Sequence, residues 1–176
     1  MGLGKTVVGV VATVIIGGTA YTISQKDVVN NFAKDSGMTQ DQAQQYVNNV
    51  GSLVPFDQIG NSMISDANDA IADASKIDCI NYTYKWESAK FSCDDAKNQL
   101  NQIGNDEKKL GNSYGKLSSS SASKDDISTT IRQIDTLNSD YNLPVVILFL
   151  DQKTIIDTEN TNTYNKATLE AALGSN

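Results

Sequence analysis

Apolar residues recur at steps of three and four along most of this chain, the period of helices with one buried face. Phe56, Ile59, Met63, Ala67, Ala70, Ala74 and Ile77 form one such stripe and predict a helix from about Pro55 to Ile77, with small residues suited to close packing. Ala96, Leu100, Ile103, Leu110, Tyr114 and Leu117 predict a second long helix, started by Ser92 or Asp94. Within it, Gly104, Gly111 and Gly115 imply either an early end or tight contact at those points. Ile127, Ile131, Ile134, Leu137 and Tyr141 predict a third, opened by the pair Ser123 and Asp126. Shorter helices are expected over Lys26 to Ser36, stopped by Gly37, and after the capping pair Thr39 and Gln42, with Ala43, Tyr46, Val47 and Val50 inward. Ser118 to Ser123 reads as a flexible joint, and a last short helix is expected from Tyr164 to Leu173.

Two stretches break the helical period. The first, Thr6 to Gln25, carries no charge and lies between Lys5 and Lys26. As a helix, its 18 residues from Thr6 to Ile23 would span about 27 Å, enough for the hydrocarbon core. Residues 1–25 are therefore expected to be a signal-anchor or a signal peptide. In the second case Lys5 opens it, Val7 to Ile16 is its apolar part, and Gly18-Thr19-Ala20 is the cleavage site. The anchor is favoured, because uncharged residues continue past that site and helical residues follow at once. The second stretch, Leu143 to Leu150, is too short to cross a membrane and reads as a buried strand or core segment, with Thr154 to Asp157 as a returning strand.

Between the only two cysteines, Cys79 and Cys93, the residues Ile80, Tyr82, Tyr84 and Trp86 alternate with polar ones, which predicts a β-hairpin turning near Trp86 to Ser88. A Cys79–Cys93 disulfide is expected, although pairing Tyr82 with Phe91 would put the two sulfurs on opposite faces. A bulge, or cysteines just outside the ladder, reconciles the two. Packing on the helices is the ordinary use of the hairpin aromatics. Trp86, with Tyr82 and Tyr84, is the candidate anchor for a partner.

Composition then narrows the chemistry. The 176 residues carry a net charge of −7, and no cluster of Lys or Arg with aromatics exists, so nucleic acid is not an expected partner. Histidine is absent, which removes imidazole-based triads and His-bearing zinc sites. Gly2-Leu3-Gly4-Lys5-Thr6 resembles the end of a phosphate-binding loop but lacks the earlier glycine and the strand that feeds it, so no nucleotide is expected. The same letters fit a Gly2 myristoylation pattern, a short one with many chance matches.

Asp66, Asp69 and Asp73 share a helix side, where a solvated face explains them better than a metal; no EF-hand loop follows. The pairs Asp94-Asp95 and Asp125-Asp126 sit at helix starts, where capping explains them without catalysis. With no Cys-x-x-Cys and no serine elbow, no catalytic, cofactor-binding or metal-binding residue is assigned.

The expected fold is mainly α: an N-terminal transmembrane or signal helix, then a small helical bundle over residues 26–176 with a disulfide-linked β-hairpin. The expected role is that of a membrane-tethered, extracytoplasmic accessory or structural protein, single-pass through residues 6–25 and acting by protein–protein binding. The cysteine pair, rather than the flanking charges, places the domain outside. A secreted or periplasmic binding protein or effector is the alternative, and a carboxylate-based hydrolase the third reading.

Overall fold

The computed structural model describes residues 11–51, 55–81, 92–146 and 150–175. Two strands, β1 (Val11–Ile16) and β2 (Thr19–Ser24), lead into six helices: α1 (Gln25–Ser36), α2 (Gln40–Val50), α3 (Phe56–Lys76), α4 (Cys93–Leu117), α5 (Lys124–Asp140) and α6 (Gln152–Gly174). The fold is mainly helical, as the apolar spacing predicts.

Local chemistry sets the helix ends. At the starts of α2, α4 and α5 the hydroxyls of Thr39, Ser92 and Ser123 accept from the backbone N–H of the residue three positions on, and the side chains of Gln42, Asp95 and Asp126 accept in return from the capping residue's own N–H. Gly37 ends α1 with φ of 70°, a left-handed conformation that glycine adopts without strain.

The N-terminal expectation is corrected. Up to Ser24, the described part of the segment 6–25 is no helix but an antiparallel hairpin, with Val14 opposite Tyr21 and Ile16 opposite Thr19; only Gln25 is helical, as the first residue of α1. Gly17 and Gly18, with φ of 60° and 75°, form the two-residue turn whose backbone matches strand twist. The flanking residues are largely β-branched and alternate: Val14, Ile16 and Ile23 are buried, whereas Thr13, Ile15 and Thr22 face out. Gly17 N–H donates to Leu117 O at 2.9 Å, so the hairpin tip is fixed to the end of α4. Residues 118–123, read as a joint, form a hydrogen-bonded turn beside that tip. Among the described residues, no helix is long and apolar enough to cross a membrane.

A second correction concerns the C-terminal part. In place of a strand at Thr154–Asp157 and a short helix after it, one helix, α6, runs from Gln152, capped by Asp151 accepting from Thr154 N–H at 2.9 Å. The hydroxyls of Thr158, Thr161, Thr163 and Thr168 each donate to the carbonyl four residues back, which lets these strand-favouring residues sit in a helix. Within Leu143 to Leu150 no described residue lies in a strand: residues 143–145 form a bend and turn and Val146 is helical, while Val145 and Val146 are in the core, as the core-segment reading expects.

Two packing units surround the core. Helices α3 and α4 run antiparallel, with Phe56 stacked on Tyr114 at one end and the Cys79–Cys93 disulfide joining the other across 5.5 Å between Cα atoms. Between these ends Gly60 faces Gly111, so closely that a Cβ on Gly60 would lie 2.5 Å from the Gly111 carbonyl oxygen. Helix α1 packs on α6 through Phe32, which meets Tyr164 edge-on at 6.3 Å and stacks on Tyr46 of α2. Lys166 Nζ donates to Asp35 at 2.9 Å and Asp135 at 2.7 Å, tying α1, α5 and α6 together. Gln102 donates to Asp140 at 2.7 Å, joining α4 to α5.

Candidate binding cleft

Helix α3 packs chiefly on α4, and the space left between that pair and the helices α2 and α6 is a cleft of about 750 Å³. Each wall comes from a different element. Tyr46 and Val50 enter from α2, Ile59, Met63 and Asp66 from α3, and Glu107 from α4. Tyr141 follows α5, and α6 contributes the face carrying Thr154, Thr158, Thr161 and Asn165. The spacing along α6 is that of one helix side, so its threonines and asparagine look into the cleft together.

The electrostatics of this lining are one-sided. Asp66, Glu107 and Asp157 carry negative charge, and no Lys or Arg is among the described lining residues. Asp157 is paired with Lys153 at 2.5 Å. Asp66 and Glu107 have no ion-pair partner among the described residues. Burial, and then the charge of Asp66, push the Glu107 carboxyl up to about 7. Burial also raises the Tyr141 hydroxyl, with further contributions from Glu107 and Asp66. The Tyr164 hydroxyl, raised by burial, donates to Gly51 O at 3.3 Å.

A carboxyl held in its neutral form has a signed effect on stability. Glu107 ionises from about 4.5 when unfolded and about 7 when folded, so it is neutral in both states below the first value. As pH rises through that window the unfolded chain loses its proton first, and stability falls until the folded group has ionised too. The full difference corresponds to about 3 kcal/mol, reduced to about 1–2 kcal/mol because the side chain keeps partial contact with water. Glu107→Gln should therefore gain about 1–2 kcal/mol at pH 8 and almost nothing at pH 4. Urea unfolding of both chains at the two pH values measures this; an equal change at both would refute it. Asp66, Asp157 and Tyr141 face the same cleft but are common to both chains.

The residues singled out from sequence are placed as follows. Cys79 and Cys93 form the disulfide, 14 residues apart in sequence. Residues 82–91 lie outside the described residues, and with them Tyr82, Tyr84, Trp86 and the hairpin expected there. Asp73 pairs with Lys76 at 2.9 Å on an exposed face, Asp69 is exposed, and only Asp66 of that stripe reaches the cleft. Among the described residues, no group of three or more acidic or cysteine side chains is placed to hold a metal.

Asp95 caps α4, and the hydrogen bonds from Ser92 lower its carboxyl. Asp126 caps α5 and is held down to about 2 by the Lys116 ammonium and by Ser123. The carboxylate pairs are thus helix-start groups, as their sequence positions imply. Glu107, Tyr141 and Asn165 were not legible as a set, because they come from three distant elements with no shared local pattern.

No family model, curated protein or solved structure matches this chain.

Proposed function

We propose that this is an extracytoplasmic accessory protein that acts by binding a protein partner rather than by catalysis, with the cleft among α2, α3, α4 and α6 as its binding site. The cleft is the observation that carries this reading: it is large, built from five separate parts of the chain, and combines aromatic and apolar side chains such as Tyr46, Ile59, Met63 and Tyr141 with a larger set of polar and acidic ones. The Cys79–Cys93 disulfide supports an oxidising compartment, since such bridges persist mainly outside the cytosol. The lack of histidine in the sequence supports a non-catalytic role.

Membrane attachment through residues 6–25 is no part of this proposal. A span there would withdraw Val14, Ile16 and Ile23 from the core, and cleavage after Ala20 would remove β1 from its partner strand.

The test is recovery of a stoichiometric partner with the full chain from cells that make it, compared with Ser62→Arg. Ser62 is an exposed cleft residue, and arginine there would reach across the opening toward the carboxylates. The expected result is association that is lost in Ser62→Arg while helical content and thermal unfolding stay unchanged. Association that survives the substitution would overturn the cleft as the binding site.

A further inference from the structure

Asp140, at the end of α5, is an acid in surroundings that do not suit a charge. The residue is 5% exposed, and Gln102 of α4 donates to its Oδ1 at 2.7 Å. Its Oδ2 is buried and meets no hydrogen-bond donor among the described residues. Buried polar atoms nearly always have partners, and an ionised oxygen left without one bears its full desolvation cost.

What stands beside it is a second acid. The Asp106 carboxyl, one turn along α4 from Gln102, is in hydrogen-bonding contact with that of Asp140. Two carboxyls form a hydrogen bond only when one of them carries a proton, since an ionised carboxylate is an acceptor alone. Lys109 Nζ holds Asp106 at 2.5 Å and favours its charged form, which leaves the proton to Asp140. Gln102, Asp106 and Lys109 follow one another at steps of four and three, so one side of α4 presents the whole set.

We propose that Asp140 is a protonated carboxyl that donates from Oδ2 to Asp106, and that loss of this proton loosens the end of α5 from α4 and shifts Tyr141 in the wall of the cleft. With the proton in place every group is met: the Asp140 carbonyl oxygen accepts from Gln102, its hydroxyl donates to Asp106, and Asp106 accepts from Lys109. The set is then electrically neutral. Without the proton two carboxylates stand in contact, with one ammonium to answer both and Asp140 shut off from water. Tyr141 is the next residue in the chain and lines the cleft, so a displacement at Asp140 reaches it directly.

Burial, and then the Asp106 charge, raise the Asp140 carboxyl, against the lowering effects of Gln102 and Lys109. Helix α5 packs on α4 and α6, and the other acids of this corner are Glu107 of α4, Asp66 of α3 and Glu159 of α6, all of which act on Tyr141. The folded chain holds the Asp140 proton to higher pH than the unfolded chain does. The latch is therefore complete below the ordinary aspartate value of about 3.9 and is lost as pH rises through the folded one. As a control on binding it rests on the cleft being the binding site, but the proton and the movement of Tyr141 are measured without a partner.

The test is an NMR titration of the full chain from about pH 3 to about pH 9, reading the Asp140 carboxyl carbon and the Tyr141 amide. It is made in the Glu107→Gln background, which removes an acid that ionises inside the cleft. The Asp140 signal should titrate with a midpoint above that of the same carbon in the urea-unfolded chain, and the Tyr141 amide should shift with the same midpoint. Asp106→Asn, close in shape to the native residue, should bring the Asp140 midpoint down towards the unfolded one. In Asp140→Asn, whose amide can donate to Asp106 but never ionise, the Tyr141 step should be absent although Glu159 still titrates nearby.

An Asp140 midpoint at or below the unfolded one would overturn the shared proton, as would a raised midpoint that Asp106→Asn leaves in place. A Tyr141 step that is missing, or that persists in Asp140→Asn, would overturn the link to the cleft. The effect of Ser62→Arg on partner association bears on none of these readings, so the two proposals fail separately.

Discussion

Serine at both Cys79 and Cys93 lowers the stability of the protein by about 3 kcal/mol, the loop-closure entropy of a stretch of this length. In the oxidised chain, the end of α3 and the start of α4 stay together even when unfolded, which reduces the freedom lost on folding. The folded state changes little, because Phe56 on Tyr114 and Gly60 against Gly111 hold the same helix pair elsewhere. Urea unfolding of the oxidised chain and of the double variant should show a lower midpoint for the variant and a steeper dependence on urea, since its unfolded state exposes more surface. A loss below about 0.5 kcal/mol would mean that the bridge constrains nothing the helices do not already constrain. A thiol count on the denatured, unreduced protein should find none free.

Gly60→Ala is the second large effect, a net loss of about 2 kcal/mol. Alanine is the better helix former by about 1 kcal/mol, so propensity alone would make this change stabilising. Packing overrides it, because the new methyl would lie 2.5 Å from the Gly111 carbonyl oxygen and 3.0 Å from the Gly115 nitrogen, both backbone atoms that cannot rotate aside. The helices must separate, and the Phe56–Tyr114 stack one turn away must loosen with them. Gly115→Ala is the control. A Cβ there meets nothing within 4 Å, so it should gain up to about 1 kcal/mol. Thermal unfolding of the two variants should therefore move in opposite directions, and a shift of the same sign would contradict the close approach at Gly60.

The helical part of this fold was legible because its signals are local. Thr39 with Gln42, Ser92 with Asp95 and Ser123 with Asp126 carry their partners three residues away, and the stripe from Phe56 to Ala74 needs only one helix to be seen. The glycines of α4 could be read as sites of tight packing, but not against what. Helix α6 was legible only at its end, because Asn162, Thr163, Asn165 and Thr168 occupy its buried side, positions that a polarity pattern assigns to water.

The hairpin was misread for a different reason. Gly17-Gly18 between β-branched residues is a hairpin signal, but a long uncharged run suggests a membrane helix just as directly. Burial of one face against α1 and α6, which no local pattern records, decides between them. The cleft was not legible at all, since Asp66, Glu107 and Asn165 come to line one space only when three helices pack.

The pairing of α1 with α6 has a consequence for how the protein is made. Phe32 and Val29 are synthesised well before Tyr164 and Leu169, the core residues of α6 on the other side of that pairing. Until α6 has left the ribosome, the side of α1 that meets it has no cover beyond what Tyr46 of α2 gives Phe32, and Lys166 is not there to answer Asp35. The hairpin, the α1–α2 contact and the α3–α4 pair can form earlier from their own contacts, so the joint between α1 and α6 is the part of the core that waits longest.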